Sequence, residues 1–344
     1  MLILTEVKRM NILVTGGAGF IGSHFIKALL RNPQIKNVVN LDCLRYGNNL
    51  FSLETVKSDN RYSFIEGNIT NKELVDEIFK IYKINKVAHF AAESHVDKSL
   101  VDFEGFIKTN VLGTQVLLES AKKAWLVNKE GDSWSSLGNK KFLHISTDEV
   151  YGPTNSFKIL FDETAPLNPS NPYATTKASA DLVALTYKNN FNLPLNITRS
   201  TNNYGIFQFP DKLIPKMIIK GLKGELLPVY GKGQEVREWL SVEDHVNVLV
   251  EILFDSHKGE IYNIASGIRK KNIEVVELIV RILGLPKSRI TFVKNRLFHD
   301  KAYSIDDSKL NKLFNFEPNR SFQLEMEKII SWYCRNEKWW SKFI

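Results

Sequence analysis

A tyrosine and a lysine four residues apart form a candidate proton-transfer pair. Tyr173 and Lys177 stand at the start of a predicted helix, directly after Pro172. A spacing of four places both side chains on one helix face. A lysine ammonium near a phenol favours the phenolate and lowers its pKa. The pair therefore predicts a base that takes a proton from a substrate hydroxyl near neutral pH.

Two adjacent carboxylates, Asp148 and Glu149, follow a predicted strand that ends at Ser146. Ligands of open α/β sheets bind at the carboxyl ends of the strands. Hydride transfer alone needs no acid pair. A dehydration needs one group that removes a carbon-bound proton and another that protonates a leaving hydroxyl. The pair favours a dehydratase, and the alternative is a polar surface turn.

A glycine-rich segment at residues 16–22 (GGAGFIG) joins the first predicted strand to the first predicted helix. Gly16, Gly19 and Gly22 permit a tight turn and a close approach of the backbone to a pyrophosphate at the helix N-terminus. Asp42 follows Gly22 by twenty positions, at the end of the second predicted strand. Its carboxylate can bind both hydroxyls of an adenosine ribose and would repel a 2′-phosphate. The pattern predicts NAD rather than NADP.

The composition limits the class of protein. A chain of 344 residues with 43% apolar residues is expected to form one large domain or two lobes with a sizeable core. No apolar run approaches the roughly 20 residues of a membrane-spanning helix. The net charge is +8, but the basic residues are scattered, so no nucleic-acid partner is expected. Two cysteines, Cys43 and Cys334, favour a reducing cytoplasm, and no histidine spacing predicts a metal.

Along the chain, short apolar runs alternate with longer amphipathic segments. This β-α-β alternation predicts an α/β fold of the Rossmann type, a doubly wound parallel sheet. The predicted strands are residues 11–15, 38–41, 63–65, 86–90, 141–146 and 195–199. The predicted helices are residues 21–31, 71–82, 103–124 and 173–190.

The remaining segments suggest where the domains divide. Residues 127–140 and 151–172 are polar or rich in Pro and Asn, and both are predicted to be loops. Beyond about residue 205 the alternation becomes irregular. We therefore predict a dinucleotide-binding domain at 1–205, with elements returned from the C-terminal part, and a smaller α/β substrate lobe at 206–344.

Together, the glycine segment and the Tyr173–Lys177 pair resemble the extended short-chain dehydrogenase/reductase superfamily. Residues 144–152 (HISTDEVYG) resemble the signature of its nucleotide-sugar 4,6-dehydratases. The resemblance runs from about residue 11 to about residue 333. Further matching motifs occur in the expected order at 91–97 (AAESHVD), 201–205 (TNNYG), 209–215 (FPDKLIP), 227–231 (LPVYG), 237–240 (REWL), 242–245 (VEDH), 270–272 (KKN) and 299–300 (HD).

The resemblance implies a three-step reaction on dTDP-glucose. Tyr173, assisted by Lys177, takes the proton of the C4 hydroxyl while NAD accepts the C4 hydride. Glu149 removes the acidified C5 proton, and Asp148 protonates the C6 hydroxyl as water leaves. Hydride then returns to C6, which gives a 4-keto-6-deoxy sugar nucleotide for deoxysugar biosynthesis. Thr147 is implied to donate a hydrogen bond to the C4 oxygen.

Binding roles are also implied by the resemblance. The implied NAD site comprises Gly16, Gly19, Phe20, Ile21, Gly22, Asp42, Leu44, Asn68, Ile69, Ala91, Ala92, Ser94, Thr109, Tyr173, Lys177 and Asn203. The implied nucleotide-sugar site comprises Ser94, Thr147, Asn202, Lys212, Leu213, Pro228, Tyr230, Arg237, Asn272, Arg296 and His299. Arginine suits a diphosphate because its planar fork can bond two oxygens at once.

Two segments depart from the family's pattern. Leu297 and Phe298 replace a Pro-Gly turn, and since glycine allows backbone conformations that phenylalanine resists, this loop is expected to take a different path. Asn68 stands where the family has aspartate. We expect its amide oxygen to accept an adenine amino proton without the charge.

Other functions remain open from the sequence. One is a 4,6-dehydratase of another nucleotide sugar, such as UDP-glucose. A 4-epimerase or decarboxylase generally lacks the Asp148–Glu149 pair, and a silent NAD-binding module would have lost a catalytic group. In relatives, helices equivalent to 103–124 and 173–190 pair two subunits, which implies a homodimer with a four-helix interface.

Overall fold

The computed structural model describes residues 10–45, 50–129, 133–295, 300–319 and 321–344. The chain divides into two units. The first contains residues up to Ser146, Asn171–Thr198 and Val246–Ile261, and the second contains Thr147–Ser170, Arg199–His245 and Tyr262–Ile344. The chain therefore passes between the units several times, whereas the sequence analysis placed one boundary after residue 205. Which ligand each predicted segment binds stays a prediction.

The described residues form short strands and helices that alternate over most of the chain. The strands are β1 (Met10–Thr15), β2 (Ile35–Asp42), β3 (Tyr62–Glu66), β4 (Lys86–His89), β5 (Leu126–Lys129), β6 (Ser133–Ser136), β7 (Lys141–Thr147), β8 (Leu195–Ser200), β9 (Asn202–Tyr204), β10 (Leu227–Tyr230), β11 (Val236–Ser241), β12 (Ile261–Ile264), β13 (Arg269–Lys271) and β14 (Ile290–Val293). The helices are α1 (Phe20–Leu30), α2 (Lys72–Tyr82), α3 (Val96–Ser99), α4 (Phe103–Phe106), α5 (Gly113–Trp125), α6 (Pro172–Phe191), α7 (Leu213–Leu222), α8 (Val242–Phe254), α9 (Asn272–Ile282), α10 (Ser308–Phe314), α11 (Phe322–Arg335) and α12 (Glu337–Trp340). Among the described residues, no helix is long and apolar enough to cross a membrane.

A seven-stranded sheet has the order β12-β8-β7-β4-β1-β2-β3. Strands β7, β4, β1, β2 and β3 pair in parallel. From β1 the chain runs outward through β2 and β3, and then returns to β4 on the other side of β1. This reversal is the switch point at which ligands of doubly wound sheets bind. The predicted Rossmann-type fold is confirmed.

The predicted long helix at 103–124 is interrupted. Between α4 and α5 the backbone forms a π-helix over Ile107–Leu112. Buried Asn110 lies within it, and its side chain bonds the backbone N–H and C=O of Glu93 and the hydroxyl of Thr176. Such widened turns occur mostly at functional sites. Helical periodicity does not reveal them, because the apolar spacing changes by one residue only.

The predicted loop at 127–140 contains a β-hairpin formed by β5 and β6. Its polar composition concealed two packing residues. Leu126 is buried, and Trp134 packs edge-to-face on Phe191 with ring centroids 5.8 Å apart. The prediction of a loop was therefore wrong here, because one anchored side chain on each strand is enough to fix a short hairpin on the core.

Two buried lysines at the amino-terminal ends of β4 and β7 bind the end of α8. Lys141 Nζ donates to the carbonyls of Ile252, Asp255 and His257, and Lys86 Nζ donates to that of Leu253. Ammonium groups suit the negative end of a helix dipole. Burial lowers the pKa of each lysine to about 8.

Each unit has an apolar core of its own. In the first, β-strand residues pack against α2, α5 and α6, and Trp125 lies at the centre with no exposed surface. Its indole N–H donates to the carbonyl of Ile84 at 2.8 Å. In the second, α7, α9 and α11 pack around Met326 and Tyr333.

Trp125→Ala is expected to lower the free energy of unfolding of the first unit by about 3–5 kcal/mol, because it opens a cavity and leaves the Ile84 carbonyl without its partner. Denaturant titration followed by circular dichroism measures the loss. Ile81→Ala, at an exposed position on α2, is the control and should change stability by less than about 0.5 kcal/mol. Equal effects of the two variants would contradict the assignment of Trp125 to the core.

Candidate active site

A cleft opens in the first unit at the carboxyl ends of β1 to β4. It encloses about 480 Å³ of space that is open to solvent. Seven of the predicted cofactor residues line it: Gly16, Asp42, Asn68, Ile69, Ala91, Ala92 and Thr109. Five further lining residues were not predicted: Leu41, Cys43, Arg45, Gly67 and Glu93. Each of these five adjoins or lies close to a predicted residue, so proximity in the sequence was the available signal.

The turn after β1 requires glycine at two positions. Gly16 has φ +70°, and a Cβ atom there would lie 2.6 Å from the backbone nitrogen of Ala91. A Cβ atom on Gly22 would lie 2.4 Å from the carbonyl oxygen of Gly16. Gly19 is the N-cap of α1 and has no side chain to cap the helix. The N-terminus of α1, where Phe20 and Ile21 lie, thus keeps its N–H groups for a ligand.

Asp42 connects the glycine turn to the segment that follows β2. One carboxylate oxygen accepts from the N–H of Ala18 at 3.0 Å, and the other accepts from the N–H of Leu44 at 2.9 Å. Leu44 has φ +49°, so the chain turns sharply at that point. Asp42 lines the cleft, where a carboxylate oxygen can accept from ribose hydroxyls.

The side chain of Asn68 takes part in a local turn. Its amide oxygen accepts from both the N–H and the hydroxyl of Thr70, each at 3.0 Å. Asn68 also lines the cleft. Its role toward adenine stays a prediction, in which this oxygen would exchange a bond with Thr70 for the adenine amino group.

These features fit a dinucleotide. A glycine turn with no room for a Cβ atom, a helix N-terminus without a side-chain cap, and a carboxylate at the end of β2 occur in the order that NAD requires. Ser94 is exposed and follows the cleft residue Glu93 directly.

Helix α6 begins at a well-capped end and presents Tyr173 in its first turn. The side chain of Asn171 accepts from the N–H of Ala174, and Pro172 occupies the first helical position. The N–H of Tyr173 donates to Ser99 Oγ at 3.2 Å, and its ring lies 6.5 Å from that of Phe106. The phenol is therefore fixed at the end of the helix and only partly buried.

Lys177 lies one turn further along α6 and is buried. Its ammonium donates to the carbonyl of Ile145 on β7 at 2.7 Å. Burial lowers the pKa of Lys177 to about 8, while the charge of Asp181 opposes that shift. Lys177 therefore carries its charge at neutral pH and can lose it at mildly alkaline pH.

Thr147, Asp148 and Glu149 lie in the second unit, where β7 ends and a 3₁₀ turn covers Asp148–Tyr151. Thr147 Oγ1 accepts from the N–H of Glu149 and donates to Asp148, both at 3.3 Å. Burial raises the pKa of Asp148 well above its usual range, and the charges of Glu149 and Glu238 add to the effect. A general acid must hold its proton before its step, and the raised pKa of Asp148 favours that form.

The acid pair is held in place by a network that sequence reasoning missed. Tyr151 Oη donates to Asn263 Oδ1, and buried Arg199 donates to Tyr151 Oη, each at 2.8 Å. Gly152 has φ +83°, and a Cβ atom there would lie 2.2 Å from the carbonyl oxygen of Asn168. Arg199 and Asn263 carry no sequence signal of their own, because they act through Tyr151.

The predicted nucleotide-sugar residues of the second unit lie on two small sheets and at two helix starts. Asn202 is on β9, next to Asn203, which is predicted for the NAD site, and β9 pairs with β11, where Arg237 lies. The other members are placed as follows: Pro228 and Tyr230 on β10, Lys212 and Leu213 at the start of α7, and Asn272 at the start of α9. Arg296, His299 and the departure at Leu297 and Phe298 lie outside the described residues.

Arg237 already has protein partners. Its guanidinium donates to the carbonyls of Asp300 and Lys301 and stacks on the ring of Tyr303, 5.1 Å away. Asp300 also accepts from Ser170 Oγ at 2.6 Å. Arg237 thus anchors the segment that follows residues 296–299.

The family model described as GDP-mannose 4,6 dehydratase matches residues 13–329. The chain belongs to this family. Within the 4,6-dehydratases, dTDP-glucose 4,6-dehydratase of Escherichia coli is 40% identical over 352 residues, which cover 97% of this chain and 96% of that relative.

Solved structures of 4,6-dehydratases agree. The dTDP-glucose 4,6-dehydratase of Bacillus anthracis, in complex with NAD, has a TM-score of 0.86 and 39% identity, covering 97% of this chain and 99% of that one. The dTDP-glucose 4,6-dehydratase of Streptomyces venezuelae, with NAD bound, has a TM-score of 0.89, 39% identity and the same coverage. The predicted family resemblance is therefore confirmed.

Asp148→Asn is expected to stabilise the fold increasingly as the pH rises. The folded pKa of Asp148 lies above its unfolded value of 3.8, so the unfolded chain loses this proton first. Between the two pKa values, stability falls by up to about 1.4 kcal/mol per pH unit. Asparagine has no such proton.

The free energy of unfolding of the parent chain and of Asp148→Asn is measured by denaturant titration at about pH 4, near the unfolded pKa of Asp148, and at about pH 8, well above it. The advantage of the variant should be larger at the higher pH. An equal difference at the two values would mean that Asp148 is ionised in the folded chain.

Proposed function

We propose that this chain converts dTDP-glucose into dTDP-4-keto-6-deoxyglucose by loss of water, as an NAD-dependent hydro-lyase. The observation that carries the proposal is about 40% identity to dTDP-glucose 4,6-dehydratases over almost the whole chain. The Thr147–Glu149 and Tyr173–Lys177 motifs are both present. A 4-epimerase is not favoured, because these relatives are dehydratases.

NAD would be held by the cleft of the first unit, with its pyrophosphate at the start of α1 and its adenosine ribose at Asp42. When bound, NAD accepts a hydride from C4 of the sugar and returns it to C6. The cleft residues, the glycine turn and Asp42 orient the cofactor. None of them takes part in proton transfer.

Proton removal from the C4 hydroxyl is assigned to Tyr173. The cationic Lys177 on the same helix face favours the phenolate, so Tyr173 can act as a base near neutral pH. On substrate binding, the single O–H of Thr147 would turn from Asp148 and donate to the C4 oxygen. The resulting ketone makes the C5 hydrogen acidic.

Elimination is assigned to the acid pair. Glu149 removes the C5 proton, and Asp148 gives its proton to the C6 hydroxyl, which leaves as water. The raised pKa of Asp148 supports this division, because the group must be protonated before the step. After the hydride has returned to C6, C5 takes up a proton, so that the atoms and charges of the cycle balance.

Nucleotide-sugar binding is assigned to the residues predicted for it in the second unit and to Ser94 of the first. Arg237 is expected to act in part through the segment it anchors, which continues from Arg296 and His299. Asn203 is fixed by the ring of His245, with Oδ1 and Nδ1 2.8 Å apart.

The decisive experiment incubates the purified chain separately with dTDP-glucose, UDP-glucose and GDP-mannose, and follows the loss of one water by mass spectrometry. Product from dTDP-glucose alone is expected. Product from UDP-glucose alone would keep the reaction and change the substrate. No product from any of them, with NAD bound, would overturn the proposal.

Glu149→Gln is expected to lower turnover by about 10²–10⁴-fold, because no base removes the C5 proton. C4 oxidation should persist, so reduced cofactor should accumulate after substrate is added. Absorbance of the reduced nicotinamide and mass spectrometry measure the two steps. Glu73→Gln, on the exposed side of α2, is the matched control and should turn over normally. Full water loss by Glu149→Gln would refute its role.

We further infer a homodimer, formed by a patch on the first unit. The patch comprises six exposed apolar residues around α4, the π-helix and α6: Leu100, Val101, Phe103, Ile107, Leu112 and Leu182. Val101 is 90% exposed, and the other exposed apolar residues of the patch are near it in the sequence or on α6. A group of exposed apolar side chains of this kind marks an interaction surface more often than a single exposed one does. Phe103, Ile107, Leu112 and Leu182 lie on the helices implied by the family resemblance, and Leu100 and Val101 lie in the turn just before the first of them.

Val101→Asp is expected to convert the dimer to monomers, because it places an unpaired charge in a buried contact. Sedimentation velocity measures the change. Ile81→Asp, at another exposed apolar position outside the patch, should leave the dimer intact. A monomeric parent chain, or a dimer that tolerates Val101→Asp, would contradict the inference.

We place the reaction in the cytoplasm. Cys43 is partly buried and Cys334 is exposed, and both are free thiols. Free thiols persist in reducing compartments.

A further inference from the structure

A buried carboxylate continues the catalytic face of α6. Asp181 follows Lys177 by four residues, as Lys177 follows Tyr173, so the three side chains lie along one helix face. Asp181 has no exposed surface. The reaction steps assigned above do not use it.

Asp181 and Lys177 contact consecutive residues of β7. His144 Nε2 lies 3.2 Å from Asp181 Oδ1, and neither side chain is exposed. Lys177 Nζ donates to the carbonyl of the next residue, Ile145. Two polar contacts therefore fix the register of α6 on β7.

A second buried histidine, His89, lies beside this contact. The hydroxyl of Thr114 donates to the carbonyl of Asn110, so His89 Nε2 donates to Thr114 and His89 Nδ1 accepts from Thr15. His89 is thus neutral, and its ring centroid lies 5.4 Å from that of His144.

The charges of Lys177 and Asp181 therefore complement each other. Burial disfavours an isolated ammonium and an isolated carboxylate alike. Among the described residues of the first unit, the buried carboxylates are Asp42, at the end of β2, and Asp181. Titratable groups near Asp181 include Lys177 on its own helix and His144 on β7, with His89 on β4 beside His144.

We propose that Asp181, which lies beside His144, is a positioning residue that keeps Lys177 charged and thereby sustains the basicity of Tyr173. The proposal rests on the proposed role of Tyr173 as the base. Removal of the carboxylate takes away the negative charge that opposes the effect of burial on Lys177, so Lys177 loses its proton at a lower pH. A neutral Lys177 no longer favours the phenolate.

The test is an ultraviolet titration of the Tyr173 phenolate in the purified full chain, without substrate. The signal is the difference between each protein and the same protein with Tyr173→Phe. Asp181→Asn should raise the pKa of Tyr173 by about one unit, and Asp181→Glu should restore most of the shift. The acidic limb of the kcat/KM profile should move to higher pH by the same amount.

Asp76→Asn is the matched control. Asp76 is a helical carboxylate of the same unit that bonds Ser120 and Lys123. Its neutralisation should leave the Tyr173 titration unchanged. An unshifted titration in folded Asp181→Asn would overturn the proposal, whereas a shift in a chain that dehydrates no nucleotide sugar would sustain it and refute the proposed function.

A double variant separates direct from indirect action. In a Lys177→Met background, Asp181→Asn should have no further effect on Tyr173, since its effect passes through the lysine. A full further shift would overturn the proposal. Where Asp181→Asn does not fold, Asp181→Leu provides the second test, because it removes the carboxylate without leaving a buried amide to be satisfied: it should raise the pKa of Tyr173 in the same direction, and an unchanged pKa would overturn the proposal.

Discussion

The burial of ionisable groups at the carboxyl edge of the sheet is the constraint from which the chemistry of this chain follows. Lys177 must carry its charge where its side chain is almost fully enclosed, and Asp148 must keep its proton in a similar setting. Burial pushes both groups toward their neutral forms. For Asp148 burial favours the protonated form, which a general acid needs, and the nearby charges of Glu149 and Glu238 strengthen this effect.

For Lys177 burial disfavours the charged form, which the proposed mechanism needs, so other groups must counteract it. The carbonyl of Ile145 and the carboxylate of Asp181 supply the negative potential that an ammonium needs in a dry site. The outcome is a lysine with a pKa of about 8, which is charged at neutral pH but not strongly stabilised. Burial thus favours the acid in the second unit, whereas the base in the first unit depends on groups that counteract burial.

The features that could be predicted from the sequence are those encoded by local patterns of residues. The alternation of apolar runs gave the sheet, and the glycine spacing located the turn where Gly16 approaches Ala91. The adjacency of Asp148 and Glu149, and the spacing of Tyr173 and Lys177, were visible because they are close in the sequence. Family resemblance added the binding residues.

The unpredicted part depends on contacts between distant residues. Arg199 reaches Tyr151 across 48 positions, and Asn110 reaches Thr176 across 66. The π-helix and the β5–β6 hairpin likewise depend on packing partners elsewhere in the chain. The role of Asn68 was predicted from its amide oxygen, which a local turn with Thr70 also uses. Composition and spacing record which residues are present, whereas hydrogen-bond competition decides which atoms remain available.

The order of the reaction explains why the acid and the base need opposite environments. Oxidation at C4 must come first, because only the ketone makes the C5 hydrogen acidic enough for a carboxylate to remove. The first step therefore needs a base that is strong before the ketone exists, which a phenolate near an ammonium provides. The second step needs a carboxylic acid that has kept its proton through the first. A single shared environment could not favour ionisation of one group and protonation of the other, so the two functions belong to separate segments with separate neighbours.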